Sequence, residues 1–294
     1  MHDTVPTYEI DKVTVEEVLQ RNLPWYRRNA SGDMRFYAVC HKCENPIQLV
    51  NVTGNVNANT ASYGTHQNQR IAGFPFFDAV ALATCPHVTR NLNPQQADRR
   101  EMSETARRII RIAVENFDRV VLVLRRDLGI YFSDKTAKDM LDAWFGVQGY
   151  CYSGANLENV PWMIAYFSPM INLFGTDLSR NPGLIEAIQR RVPEATISNG
   201  RQIKGKTFCT LGLTVLRHRM ERNGEEVHET LRITVRNFTN TILPLEAPLV
   251  YQQIFHIDPE EFERLRHIPA GRGRRDEPLL QIAREVAGRH NVSI

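Results

Sequence analysis

The clearest pattern along the chain is an alternation of apolar and polar residues in its last third. Cys209, Leu211, Leu213 and Val215 alternate with Thr210, Gly212 and Thr214, and Leu231, Ile233 and Val235 alternate with Arg232, Thr234 and Arg236. A period of two places each apolar set on one face of a strand, so the pair predicts an antiparallel hairpin. The intervening Glu221-Arg222-Asn223-Gly224-Glu225 supplies the turn. A two-residue Asn-Gly turn would pair Val215 with Arg232 and set the apolar faces on opposite sides. A three-residue loop, with Gly224 left-handed, pairs Val215 with Leu231 and Leu213 with Ile233. Matching the buried faces selects the three-residue loop with a glycine bulge. That register sets His218 opposite His228 and Arg217 opposite Glu229.

Helical periodicity dominates the middle of the chain. Ser103 caps a predicted helix running to about Phe117, with Ile109, Ile112, Ala113 and Phe117 on its core face. Val120 to Leu124 is either a buried strand or a continuation of that helix, and periodicity does not decide between them. Ser133 caps a second helix, Asp134 to Phe145, ended by Gly146 and Gly149. Asn181 and Pro182 open a third, to Arg191. Beyond the hairpin, Asp258-Pro259-Glu260-Glu261 starts a helix to about His267, and Pro269 to Arg275 reads as a basic linker. Asp276 to Gly288 forms an amphipathic helix burying Leu279, Leu280, Ile282, Ala283, Val286 and Ala287.

The first 95 residues differ in character. Val13 to Gln20 reads as a short helix, and Arg35 to Val39 and Ile47 to Val52 as strands around a turn. Residues 51 to 70 are rich in Asn, Thr and Ser, and are expected to form a long loop. The aromatics of Trp25-Tyr26-Arg27-Arg28 and Arg35-Phe36-Tyr37 fill a small core or stack on bases. The chain therefore divides into residues 1–95 and an α+β body, 96–294. The fold class is α+β: an N-terminal ribbon-like β unit, a helical middle, and a C-terminal antiparallel hairpin with flanking helices.

Composition changes this picture in one respect. The 294 residues are 42% hydrophobic and 23% charged, which excludes wholesale disorder, and the net charge is only +3. Yet thirty of the 36 basic residues are arginine, the side chain suited to bidentate binding of phosphate or carboxylate. The arginines are interleaved with acids rather than gathered in one block. The most apolar stretch, Val160 to Gly175, is broken by Pro161, Ser168, Pro169 and Asn172, and no basic–apolar–small leader is visible. The expectation is a cytoplasmic protein with no membrane partner.

The cysteines carry the strongest chemical signal. Five thiols with one close pair do not form a disulfide framework. Cys40-His41-Lys42-Cys43 lies on a predicted turn between strands, a spacing that presents two thiolates to one ion, and Cys85 adds a third. The fourth ligand is His66, at the end of the polar loop, or His87, whose spacing from Cys85 is cramped. The candidate metal ligands are thus Cys40, Cys43, His66, Cys85 and His87, with Zn as the cofactor. Residues 36 to 90 resemble zinc-ribbon knuckles in general, although the spacing departs from a CxxC plus CxxC pattern. Three thiolates and a histidine would close the site against water and make it structural.

Other constellations are weaker. Gly200 to Thr207 fits GxxxxGK[ST], but no buried strand precedes it and an alternating segment follows instead of a helix. It reads as a basic loop leading into a strand. The polar face of the hairpin, including His218, His228, Arg232 and Arg236, reads as a solvated sheet face, and Asp78, Asp127 and Asp134 as caps or surface charges. No catalytic residues are assigned. The expected function is that of a zinc-stabilised, non-enzymatic, nucleic-acid-associated or regulatory protein. A scaffold component with a protein partner is the alternative, and an enzyme acting on a phosphate-containing substrate the third.

Overall fold

The computed structural model describes residues 15, 17, 20, 22–29, 31–52, 62–224, 226–269 and 272–292. The helix expected at Val13 to Gln20 lies largely outside the described residues, as do 53–61 of the polar loop.

The chain is α+β. Its first sheet joins β1 (Tyr26–Arg28), β2 (Met34–Val39), β3 (Pro46–Val50) and β4 (Tyr63–His66) in sequence order, all antiparallel. β4 falls within the segment expected to be loop. Tyr63 and Thr65 suit a strand, and pairing with β3 satisfies backbone groups that the polar composition gave no reason to place in a sheet. A small core of Val15, Phe36, Leu49 and Val52 lies on this sheet, with Tyr26 packed against it. Trp25 and Tyr37 instead pack edge-on against Phe74, so these aromatics fill structure.

Helix α1 (Ala79–Thr84) leads to the helical layer. This comprises α2 (Glu104–Glu115), α3 (Phe117–Asp127), α4 (Asp134–Gly146) and α5 (Val160–Tyr166), joined later by α7 (Pro259–Arg266) and α8 (Glu277–Arg289). Val120 to Leu124 is helical, within α3. Asn116, at φ −125° and ψ 25°, separates α2 from α3. Ser103, Ser133, Asp258 and Asp276 each accept a hydrogen bond from an amide of the helix they open, as does Asn181 for α6 (Pro182–Arg191). Trp144, Trp162, Phe117 and Leu124 lie in the resulting core.

Two short strands, β6 (Thr196–Ser198) and β7 (Arg201–Ile203), form a hairpin across Asn199-Gly200. Both turn residues have positive φ, as a two-residue turn of this hand requires. Gly200 thus opens a strand and no helix follows it, so the phosphate-loop pattern lacks its structural context.

The second sheet has the order β10-β9-β8-β5, with β5 at Ile171–Asn172, β8 at Leu211–Asn223, β9 at Glu226–Asn237 and β10 at Leu249–His256. Its apolar face, Leu211, Leu213, Val215, Leu231, Ile233 and Val235, joins the helical core. The β8–β9 register corrects the expected one. Val215 pairs with Ile233 and Leu213 with Val235, while Asn223 pairs with Glu226 at the turn. The turn is therefore the two-residue kind. A one-residue bulge restores the match of apolar faces: Leu216 pairs with Arg232 and Arg219 with Thr230, so Arg217 and His218 together oppose Leu231. Arg217 takes a left-handed φ of 56° there. His218 is consequently buried, not part of a solvated face, and lies opposite neither histidine nor solvent.

This register has a direct test. Glu221 and His228 are exposed partners in the ladder, at a separation that suits a disulfide. The E221C/H228C variant should oxidise to an intrachain disulfide found by peptide mapping, whereas H218C/H228C, which the three-residue loop would have aligned, should not.

Candidate metal centre

The turn after β2 is tight. The Cys40 N–H donates to the Asn45 carbonyl at 2.9 Å, the Glu44 N–H donates to the Cys40 carbonyl at 2.7 Å, and Glu44 is left-handed at φ 55°. Cys40 and Cys43 are thereby presented from one loop. His66 ends β4 opposite Ile47, in register with the start of β3. Cys85 caps the C-terminus of α1, its N–H donating to the Leu82 carbonyl at 3.2 Å. Asn45 locks α1 to the turn: its amide nitrogen donates to the Asp78 carbonyl and its amide oxygen accepts from the Asp78 N–H. The Asp78 carboxylate accepts from the Ala81 and Thr105 N–H groups, tying the starts of α1 and α2 together. Burial opposes ionisation of Asp78, but those amide bonds hold its carboxyl below the usual range.

These elements converge on four side chains. The ligand atoms of Cys40, Cys43, His66 and Cys85 all lie within 4.8 Å of one another, and the group could hold a metal ion. Cys40 Sγ is 3.8 Å from Cys85 Sγ, and His66 Nε2 is 3.5 Å from Cys43 Sγ and 3.7 Å from Cys85 Sγ. His87 is not in this group; its Nε2 lies 3.1 Å from His41 Nε2. All five cysteines are free and buried, and Cys151 and Cys209 stand apart from the group.

The thiols titrate as a set. Hydrogen bonds from Cys40 and Cys85 hold Cys43 far below the usual thiol range. The hydrogen bond to Cys43, then that to Cys85 and burial, push Cys40 well up. A hydrogen bond with Cys40 lowers Cys85, but Cys43 and burial outweigh it and push it up to about 12. One negative charge is favoured at this point and a second or third is strongly opposed, which is how a thiolate cluster behaves until a cation joins it.

A second cluster shares the Cys40–Cys43 loop. Lys42, between the two cysteines, is only 6% exposed. Its Nζ lies 2.6 Å from Glu158 Oε2 and 3.5 Å from Glu229 Oε1. Glu158 also accepts from His41 Nδ1 at 2.7 Å. Glu229, on β9, accepts from Asn156 and Asn159 at 3.0 and 2.8 Å and lies 3.1 Å from His218 Nε2. On its other side, His218 Nδ1 is 3.2 Å from the Tyr152 hydroxyl, which donates to the Pro94 carbonyl at 3.1 Å. Each ring nitrogen of His218 thus has a partner, Tyr152 on one side and Glu229 on the other. Burial alone would raise Glu229, but the His218 hydrogen bond and the Lys42 charge bring it down to about 2. Desolvation acts against Lys42 too, yet the two glutamates hold it above the ordinary lysine value.

Two further contacts bind the group to the body. Arg222 on β8 donates to the carbonyls of Pro86 and Thr89, in the turn that follows Cys85. The buried Arg100 guanidinium donates to Thr84 Oγ1 and the Ala155 carbonyl. Burial lowers its pKa, opposed by charge interactions with Cys151, Asp78, Cys43 and Cys85.

Signals for the second cluster existed. Lys42 is one of only six lysines, and Asn156, Glu158 and Asn159 interrupt an apolar run. Polar side chains in such a run require buried partners. The sequence names no partner, because Glu158 lies 116 positions from Lys42.

No protein-family model, no curated protein and no solved structure matches this chain.

Lys42→Met should lower unfolding free energy by about 3–5 kcal/mol, since it strands two buried carboxylates. Adding Glu158→Gln should restore part of that loss, as read by urea denaturation. Because the Glu229 carboxyl lies below its ordinary value of 4.5, its contribution is present above pH 4.5 and is lost as pH falls towards about 2. Glu229→Gln should flatten the stability profile across that window.

Proposed function

We propose that Cys40, Cys43, His66 and Cys85 bind one zinc ion as a structural centre, in a non-enzymatic protein whose partner is nucleic acid. The spacing of the ligand atoms carries the metal assignment. A tetrahedral ion with Zn–S near 2.3 Å and Zn–N near 2.0–2.1 Å sets its sulfurs about 3.8 Å apart and its S···N edges at about 3.5 Å. The distances of 3.8, 3.5 and 3.7 Å match those edges. A borderline-soft ion suits three thiolates and an imidazole, and four protein ligands leave no position for a reacting water. Three thiolates, zinc and a neutral imidazole carry one net negative charge, which the buried Arg100 guanidinium offsets.

The role of this centre is to hold the loop of Cys40–Cys43 at the end of α1, and with it Lys42 between its two glutamates. The arginine surplus supports the nucleic-acid reading, because guanidinium groups recognise phosphate bidentately.

Zinc analysis of chelator-free protein should give one ion per chain. X-ray absorption should show three sulfurs at about 2.3 Å and one nitrogen. His66→Ala should lose or weaken the ion, and His87→Ala should keep it. Binding of single-stranded RNA or DNA should fall steeply with salt. Absence of zinc overturns the metal assignment, and absence of binding by the zinc-loaded chain overturns the partner.

A further inference from the structure

The arginine-bearing surfaces are not equivalent. On α2, Arg107 and Arg108 pair with Glu104, and Arg108 also pairs with Glu44 and stacks on Phe76. Arg201 pairs with Asp177 at 3.5 Å. Lys204 and Lys206 stand exposed on the surface. At the β8 bulge, Arg217 and Arg219 are exposed and make no ion pair among the described residues. Both line a cavity of about 660 Å³ between the bulge and the loop of Asn93 to Gln96.

The walls of this cavity are held in place from below. The Tyr152 hydroxyl donates to the Pro94 carbonyl in one wall and meets His218 in the other. Gln96 Nε2 donates to the Tyr166 carbonyl, fixing the loop a second time. His218 turns inward, with one ring nitrogen at Glu229 and the other at Tyr152, so it is a support and not a reacting group. The bulge that buries His218 leaves Arg217 and Arg219, on either side of it, at the cavity. Asn93 and Gln95 also line it, and an amide side chain offers both a donor and an acceptor. Glu221 supplies the one carboxylate in the lining.

From this placement we propose that the cleft binds a nucleotide unit, with Arg217 and Arg219 on its phosphate and the Asn93 and Gln95 amides on its hydrogen-bonding edges. The proposal rests on the nucleic-acid reading above and names its site. Two fixed walls lower the ordering cost of binding, and two guanidinium groups suit phosphate oxygens.

The test uses the full, zinc-loaded chain and fluorescence anisotropy with a labelled single-stranded RNA 20-mer. R217Q/R219Q should keep its zinc and melting temperature, weaken binding about tenfold at low salt, and reduce the slope of log affinity against log salt by about 1.4. R219Q alone, at an ordinary backbone position, should give about half that change in slope. K204Q/K206Q should bind like the parent. Uridine monophosphate and inorganic phosphate are the competitors. Displacement by the mononucleotide at micromolar concentration identifies a free-nucleotide site, and displacement only by oligonucleotide identifies a polynucleotide site; either supports the cleft. Binding that survives R217Q/R219Q but is lost in K204Q/K206Q overturns the cleft and leaves the nucleic-acid reading standing. If neither RNA nor mononucleotide binds the parent, both fall together.

Discussion

The structure depends on one ammonium group placed out of water. Lys42 comes from the tight turn of the N-terminal sheet, yet the carboxylates that hold it, Glu158 and Glu229, belong to the helical layer and the second sheet. A buried charge without partners is among the most costly features a fold can contain. The ion pairs therefore tie the N-terminal turn both to the helical layer and to the second sheet. His218, Asn156 and Asn159 complete the set, so the glutamates are satisfied on every side. Such an arrangement specifies one docking geometry, whatever its net contribution to stability.

The candidate metal centre and the charge cluster share a single loop. Cys40 and Cys43 face the ion site while Lys42, between them, faces the glutamates. Asn45 and Asp78 carry the same geometry into α1 and α2. An error in the thiolate positions would be felt at the carboxylates, because only one intervening backbone unit separates them. Arg222, reaching from the hairpin to the turn after Cys85, braces the opposite side.

What could be read from sequence was local. Ser103, Ser133, Asn181 and Asp258 were legible as caps because each acts within three residues of itself, whereas Asp276, read as the first helical residue, is itself the cap. The cysteine spacing was legible because a thiolate pair on a turn has few other uses. The choice between His66 and His87 was not, since it depends on how β4 returns to β3. The hairpin register failed for a related reason. Parity of the apolar faces correctly demanded one extra residue, but assigned it to the turn, whereas it lies at Arg217–His218. Period-two reasoning fixes how many residues must be out of step and not where they are. The strand Leu249–His256 was passed over because it is a half-exposed edge whose pattern does not alternate.

The bridge from Lys42 to Glu158 and Glu229 also bears on the order in which the chain is made. Synthesis runs from the N-terminus, so the thiols and Lys42 leave the ribosome long before their counter-charges, with 116 positions separating the first pair. The four side chains that could hold an ion are all present once Cys85 has emerged, while most of the body is still untranslated. Lys42 gains its first carboxylate with Glu158 and its second only with Glu229. The last third of the protein thus completes the charge pairing of the first third.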